Sequence, residues 1–317
     1  MRALWFLILV GCGSDAVDTQ GVTGTTTGSV TGATTGAVTG TNTGGPTGGP
    51  GVQASIAAGT THACYLSADG EVTCWGDDAA GQVSGAPTSG VHIEVVAGRA
   101  HGCVLTVDGA INCWGVPGAA DDFGQTVAPP GSGFIDVAAG DHHNCALDAG
   151  GLAVCWGRND SGQATPPDPT AVYNEITAGL AHTCAVGASG AVTCWGSNNM
   201  GQGDPPPGVY HGLSAGLDFT CALDFGENVI CWGNNSAYQT YPDGEVSRWV
   251  GAGFDHACNV RDSGLVRCWG NAPPTVAESN DVFLRIESGF RFSCAITAGG
   301  ELHCFGQDDF GQSSPPL

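Results

Sequence analysis

The chain is 317 residues long and carries 30 acidic against 8 basic side chains, for a formal net charge of −22. That balance supplies no basic patch from which nucleic acid could displace counterions, and phosphate surfaces would repel it, so nucleic-acid binding is excluded. With 53 glycines and 15 cysteines, the composition points to a turn-rich chain held by disulfides in an oxidising compartment.

Met1-Arg2 is a minimal basic start, and the apolar run from Ala3 to Val10 is too short to span a bilayer. Residues 1–11 therefore read as an export signal. Leu9-Val10-Gly11-Cys12 resembles the lipobox of bacterial lipoproteins, which implies that Cys12 is lipid-modified and anchors the chain to a membrane. Residues 12–51 form a linker, Thr/Gly-rich and uncharged from Gln20 onward, without helical or strand periodicity. A flexible chain of that length spans roughly 35 Å, enough to hold a domain clear of a membrane surface.

Residues 52–317 repeat one pattern seven times. Its fixed feature is a cysteine pair ten residues apart: Cys64 with Cys74, Cys103 with Cys113, Cys145 with Cys155, Cys184 with Cys194, Cys221 with Cys231, Cys258 with Cys268 and Cys294 with Cys304. Apolar residues alternate with others around each pair, as Cys64 with Leu66 and Val72 with Cys74, the signature of a β-hairpin. If the cysteines are directly opposed, Ala68-Asp69-Gly70 is a three-residue loop whose last position must be left-handed, and glycine stands there in six repeats. The fifth repeat has Glu227 instead, with its glycine one place earlier at Gly226, which predicts a distorted turn.

Facing cysteines at a non-hydrogen-bonded position stand about 4.5 Å apart at Cα, within reach of a disulfide. Metal ligation by His62, Cys64 and Cys74 is the competing reading. Against it, Phe219 and Phe292 replace that histidine while both cysteines remain, and the short C-x₂₋₄-C spacing of structural zinc is missing. Cys12 is the one cysteine left over.

Successive first cysteines are 39, 42, 39, 37, 37 and 36 residues apart, the length of a propeller blade, and no stretch holds a helical apolar period. The fold class is thus all-β. Trp75, Trp114, Trp156, Trp195, Trp232, Trp269 and Phe305 follow the second cysteines and are expected to seal blade against blade.

The pattern Ile56-x-Ala58-Gly59-x-x-His62-x-Cys64-x-Leu66, then Gly70-x-Val72-x-Cys74-Trp75-Gly76 and Gly81-Gln82, resembles the regulator-of-chromosome-condensation repeat. The resemblance implies a seven-bladed β-propeller with one cross-strand disulfide per repeat, in which parts of one repeat can lie in adjoining blades and the two ends meet to close the ring. The sixth repeat departs from it after Gly270, where Asn271-Ala272-Pro273-Pro274 replaces the polar turn and the Gly-Gln pair. The family's nuclear member exchanges nucleotide and docks on chromatin, roles that do not suit an exported acidic chain. Exported bacterial relatives include a β-lactamase inhibitor that grips its target with the loops of one face, which implies protein binding as the mode.

Several residue groups invite a chemical reading. His62, His101, His143, His182 and His256 recur at one position and could ring a metal, but such regular placement suits a structural role. Gly212-Leu213-Ser214-Ala215-Gly216 matches a nucleophile elbow in letters, yet an elbow needs a strand-to-helix turn. Asp77-Asp78, Asp121-Asp122 and Asp308-Asp309 are turn-formers first, with calcium as the alternative. The freely varying pair between each glycine and its His or Phe is more informative. The family places this turn on one rim, and the first member is apolar in Leu180, Leu217, Phe254 and Phe290. These would form an exposed apolar arc bordered by Asp218, Asp255 and Arg291, or else tuck into grooves and seal them.

The expected function is that of an exported, lipid-anchored propeller with a monomeric body, binding an unidentified protein through one face and using no cofactor. The alternatives are an exported enzyme with its site at the propeller mouth and an inhibitor of a secreted enzyme.

Overall fold

The structure is a computed structural model and describes residues 53–115, 121–272 and 281–316. Cys12, the export segment and the linker lie outside the described residues. Twenty-one strands, and no helix among the described residues, form seven antiparallel sheets of three strands. In the first blade, β1 (Ser55–Ala58) pairs with β2 (His62–Leu66), and β2 with β3 (Val72–Gly76). The other six blades repeat this inner, middle and outer order, each from a single repeat.

All seven expected disulfides are present. Cys64 is bonded to Cys74, Cys103 to Cys113, Cys145 to Cys155 and Cys184 to Cys194. Likewise Cys221 is bonded to Cys231, Cys258 to Cys268 and Cys294 to Cys304. Each joins middle to outer strand at directly opposed positions, with Cα atoms 4.0–4.1 Å apart. The first cysteine of each pair is fully buried in a blade joint, whereas Cys74, Cys113, Cys155, Cys194, Cys231 and Cys304 on the outer strands are only partly buried and Cys268 is 8% exposed. With both sulfurs spent on one another, the alternative of metal ligation by His62, Cys64 and Cys74 does not hold.

The hairpin loop is the expected one: Gly70 N–H donates to Ser67 O at 3.0 Å with Gly70 at φ 82°. The fifth turn is not distorted. Glu227 takes the left-handed conformation itself, at φ 59°, and donates to Asp224 O at 2.9 Å. The Asp224 carboxylate holds it there by accepting from the backbone N–H groups of Gly226 and Asn228, an anchorage that offsets the cost of a side chain at positive φ.

Inner strands of successive blades pack side by side, and β1 lies against the inner strand of the seventh blade (Phe283–Ser288), closing the ring. The apolar core is divided among the joints. Seven buried clusters each draw on two neighbouring blades, such as Cys145 and Leu147 with Tyr173, Ile176 and Trp195.

Polar links run across the same joints. The three strands of a repeat stay in one blade, and the Gly-Gln loop that follows them reaches its neighbour. Each glutamine is 1–2% exposed, and its carbonyl accepts the indole N–H of the next blade's tryptophan: Trp114 on Gln82, Trp195 on Gln163, and Trp75 on Gln312 at ring closure, all at 2.9 Å. The sixth repeat has no such glutamine, and the seventh carries Phe305 where the others carry tryptophan. A ring without an N–H leaves nothing unpaired there.

The recurring histidines are fully buried and form a second link. Nε2 of four of the five contacts the side chain that follows the next blade's His, Asn144 for His101 and Thr183 for His143, or its Phe, Thr220 for His182 and Ser293 for His256, at 2.9–3.0 Å. His62 meets Gly102 and makes no such link. Asn144, Thr183 and Thr220 pass the link on to the glutamine carbonyl. Where the next blade offers Ala257 or Ala63 instead, the histidine is replaced by Phe219 or Phe292. Burial, with Nδ1 unpartnered, holds His62, His101, His182 and His256 down at about 4 and His143 at about 3.

Candidate protein-binding face

The glycine five residues before each first cysteine ends its inner strand's approach to the ring axis. Its N–H donates to the carbonyl of the His or Phe three residues on, turning the chain into the middle strand. No larger residue fits. A Cβ on Gly179 would stand 2.3 Å from both the His182 ring and the carbonyl of Gly216 in the next blade. The following residue then donates its N–H across the joint, Thr60 to Gly98, Leu217 to Gly253 and Phe254 to Gly289, so that a belt of backbone hydrogen bonds frames the mouth.

Inside this belt lies a cup of about 330 Å³. Its rim is the predicted circle of seven residues: Thr60, Arg99, Asp141, Leu180, Leu217, Phe254 and Phe290. Its floor is a ring of small side chains, Ala58, Ala97, Ala139, Ala178, Ala215, Ala252 and Ser288, from the ends of the inner strands.

The four apolar rim residues stand in consecutive blades and are half-buried, neither sealed into the joints nor fully exposed. Phe254 and Phe290 meet edge to face, with ring centres 4.3 Å apart, and the Arg291 guanidinium lies 5.3 Å from the Phe290 ring centre. Outside the crescent, Asp218 accepts from the Gln202 amide at 3.2 Å and Asp255 from the Asn271 amide at 2.8 Å. Burial pushes the Asp218 carboxyl up.

The other side of the mouth is ionic, a feature the sequence reading did not assign to any site. Asp141 contacts the Arg99 guanidinium at 3.7 Å and His142 Nε2 at 3.2 Å. Burial pushes Asp141 up and His142 down, each partly opposed by the charge of the other. Phe123 packs on His142 and carries Arg158 above its ring at 4.8 Å. The only sequence signal was that Arg99, Asp141 and His142 sit in the variable rim pairs.

Below the floor the channel continues as a narrower cavity of about 160 Å³. Glu287 lines it, pushed up to about 8 by burial, with the Trp249 N–H donating to it at 3.3 Å. Glu94, Asp136 and Glu175 are spent on backbone N–H groups of the next blade at Val137, Ile176 and Gly212. Ser214 lies within its inner strand, Tyr210–Ala215, and accepts from Ala252 N–H at 2.9 Å, so the elbow-like letters carry no exposed nucleophile. Asp78 and Asp308 accept from backbone N–H groups of their own turns. Among the described residues, no group of three or more His, Cys, Asp and Glu is arranged to hold a metal ion.

Comparison with known proteins places these features in a family. The model of the regulator of chromosome condensation (RCC1) repeat matches residues 54–82, 134–163, 174–202, 211–239 and 284–312. The chain carries RCC1 repeats. The second and sixth blades fall outside the matched spans, the second with a longer segment between Gly115 and Gly124, the sixth without Gly-Gln. Among solved structures, the CRINKLY WD40 ectodomain of the Arabidopsis thaliana receptor kinase ACR4 is 26% identical, with a TM-score of 0.70, covering 84% of this chain and 99% of that one. The ectodomain of the Physcomitrella patens receptor kinase CR4 is also 26% identical, at TM-score 0.66, covering 81% and 74%. Prp20p of Saccharomyces cerevisiae, described with its binding to Gsp1p and histones, shares the fold at 17% identity and TM-score 0.66, covering 80% and 83%. No curated protein matches the chain by sequence.

Proposed function

We propose that this RCC1-repeat propeller is an extracytoplasmic, lipid-anchored protein-interaction module that docks its partner on the cupped face and performs no catalysis. The observation that carries the reading is the half-buried apolar crescent of Leu180, Leu217, Phe254 and Phe290, framed by Asp218, Asp255 and Arg291 on a rigid backbone belt. Concave apolar ground with a polar border is the composition of binding hot spots. Seven disulfides suit an oxidising compartment, and two relatives are receptor ectodomains.

The face is tested by Leu217→Ser with Phe254→Ser. Capture of the partner from surface extracts is lost, while stability falls by only about 1–2 kcal/mol because both side chains are already partly exposed. Unchanged capture by the folded variant sinks the face. The address is tested separately by Cys12→Ser, which leaves a soluble form in detergent phase separation. Continued membrane partitioning of that variant refutes the lipid anchor.

A further inference from the structure

Resting on the proposed binding face, we infer that its occupant is a cationic peptide segment, which inserts one aromatic or leucine side chain into the cup and lays a neighbouring lysine or arginine over the fifth and sixth blades. Three observations converge on this chemistry. The cup is about 330 Å³ and is ringed at its floor by small side chains, room for one large side chain and its immediate neighbours. Its wall is apolar only from the fourth blade to the seventh, so the inserted side chain lies against Leu217, Phe254 and Phe290.

The charges beside that wall then decide the flank. Ion pairs among the described residues engage Asp121, Asp141, Asp160, Asp243, Asp262, Asp281 and Glu227, and involve neither Asp218 nor Asp255. Both carboxylates are held by amides instead, and Asp255 Oδ1 is buried without any partner. Burial already raises Asp218, the response of a carboxylate deprived of water and offered no cation. An ammonium or guanidinium arriving here meets two carboxylates that no cation among the described residues engages. Cations on this face lie elsewhere, Arg291 at the seventh blade, Arg99, paired with Asp141, at the second, and Arg158, paired with Asp160, at the third. They orient the segment, because its basic residue is repelled from those blades and drawn to the fifth and sixth. The net charge of −22 adds long-range attraction for the same partner and opposes an acidic one.

The experiment is selection of displayed random linear peptides against the whole chain, followed by affinity measurement of the enriched peptides on folded variants. Enrichment of an aromatic or leucine next to Lys or Arg is expected, with affinity falling as salt rises. Asp218→Asn with Asp255→Asn should weaken such a peptide about tenfold or more, and Leu217→Ser with Phe254→Ser should abolish its binding. Asp218→Lys with Asp255→Lys should turn the selection towards acidic neighbours. Peptides enriched without basic residues, lost on the serine variant but unaffected by the asparagine variant, overturn the cationic occupant and leave the face standing. Peptides indifferent to both variants, or no enrichment at all, overturn the occupant and the face together.

Discussion

The joint between the third and fourth blades and the joint between the first and second are built on one plan and part at the residue that meets the histidine. In the former, His143 meets Thr183, which passes the link to the Gln163 carbonyl, and every hydrogen-bonding group but Nδ1 is engaged. In the latter, His62 faces Gly102, and both of its ring nitrogens are buried without a partner. Gly102 cannot supply one, since a Cβ there would stand 2.4 Å from the Trp114 ring. The two phenylalanine joints show the apolar solution, Phe219 with Ala257 and Phe292 with Ala63. A buried polar link is therefore sound only when complete, and where the acceptor side chain is missing a phenylalanine serves better. The sixth-to-seventh joint makes the same point with Phe305.

Acid should break the histidine joints hardest. An unfolded histidine takes its proton near pH 6.5, the buried ones only at about 4 or about 3. Between those values the unfolded chain binds more protons, so stability is full above pH 6.5 and falls as the pH drops towards 4. Each histidine contributes on the order of 3 kcal/mol, so together the five rival the ~5–15 kcal/mol of a whole domain. Equilibrium denaturation across that range should show the loss; a flat profile would disprove it.

The glycine shared by both kinds of joint comes next. Gly179→Ala drives a methyl group into a neighbouring backbone and should cost about 3–5 kcal/mol by chemical denaturation. Phe305→Trp should cost about 1–3 kcal/mol, because its N–H finds no glutamine carbonyl, and Trp195→Phe should cost only about 1 kcal/mol. The smallest change sharpens the contrast best. His62→Phe should stabilise the protein by about 1 kcal/mol at neutral pH and flatten the acid profile by one proton, whereas His143→Phe should destabilise it.

Much of this was legible in the chain. The cysteine spacing and Gly70 set the hairpin because a two-strand pairing with a three-residue loop is a local matter, decided within one repeat. The rim circle followed from repeat register together with the family resemblance, which places that turn on one rim. What stayed hidden was anything whose partner lies one repeat away. The acceptors of the histidines vary between Asn144, Thr183, Thr220 and Ser293, so no single letter marks them. Their common trait is the ability to accept a hydrogen bond, visible only when position is compared with position across neighbouring repeats. The fifth turn was misjudged for a different, local reason: the Asp224 carboxylate, rather than a glycine at the left-handed position, fastens it.

Every disulfide joins two strands of one blade, and none crosses a joint. A gene that gains or loses one repeat therefore gains or loses an even number of cysteines and leaves no orphan thiol. The native partner is also the nearest cysteine along the chain, so oxidation favours correct pairing before the ring has closed. Staples confined to single blades make this a fold that can be lengthened, shortened or recombined blade by blade.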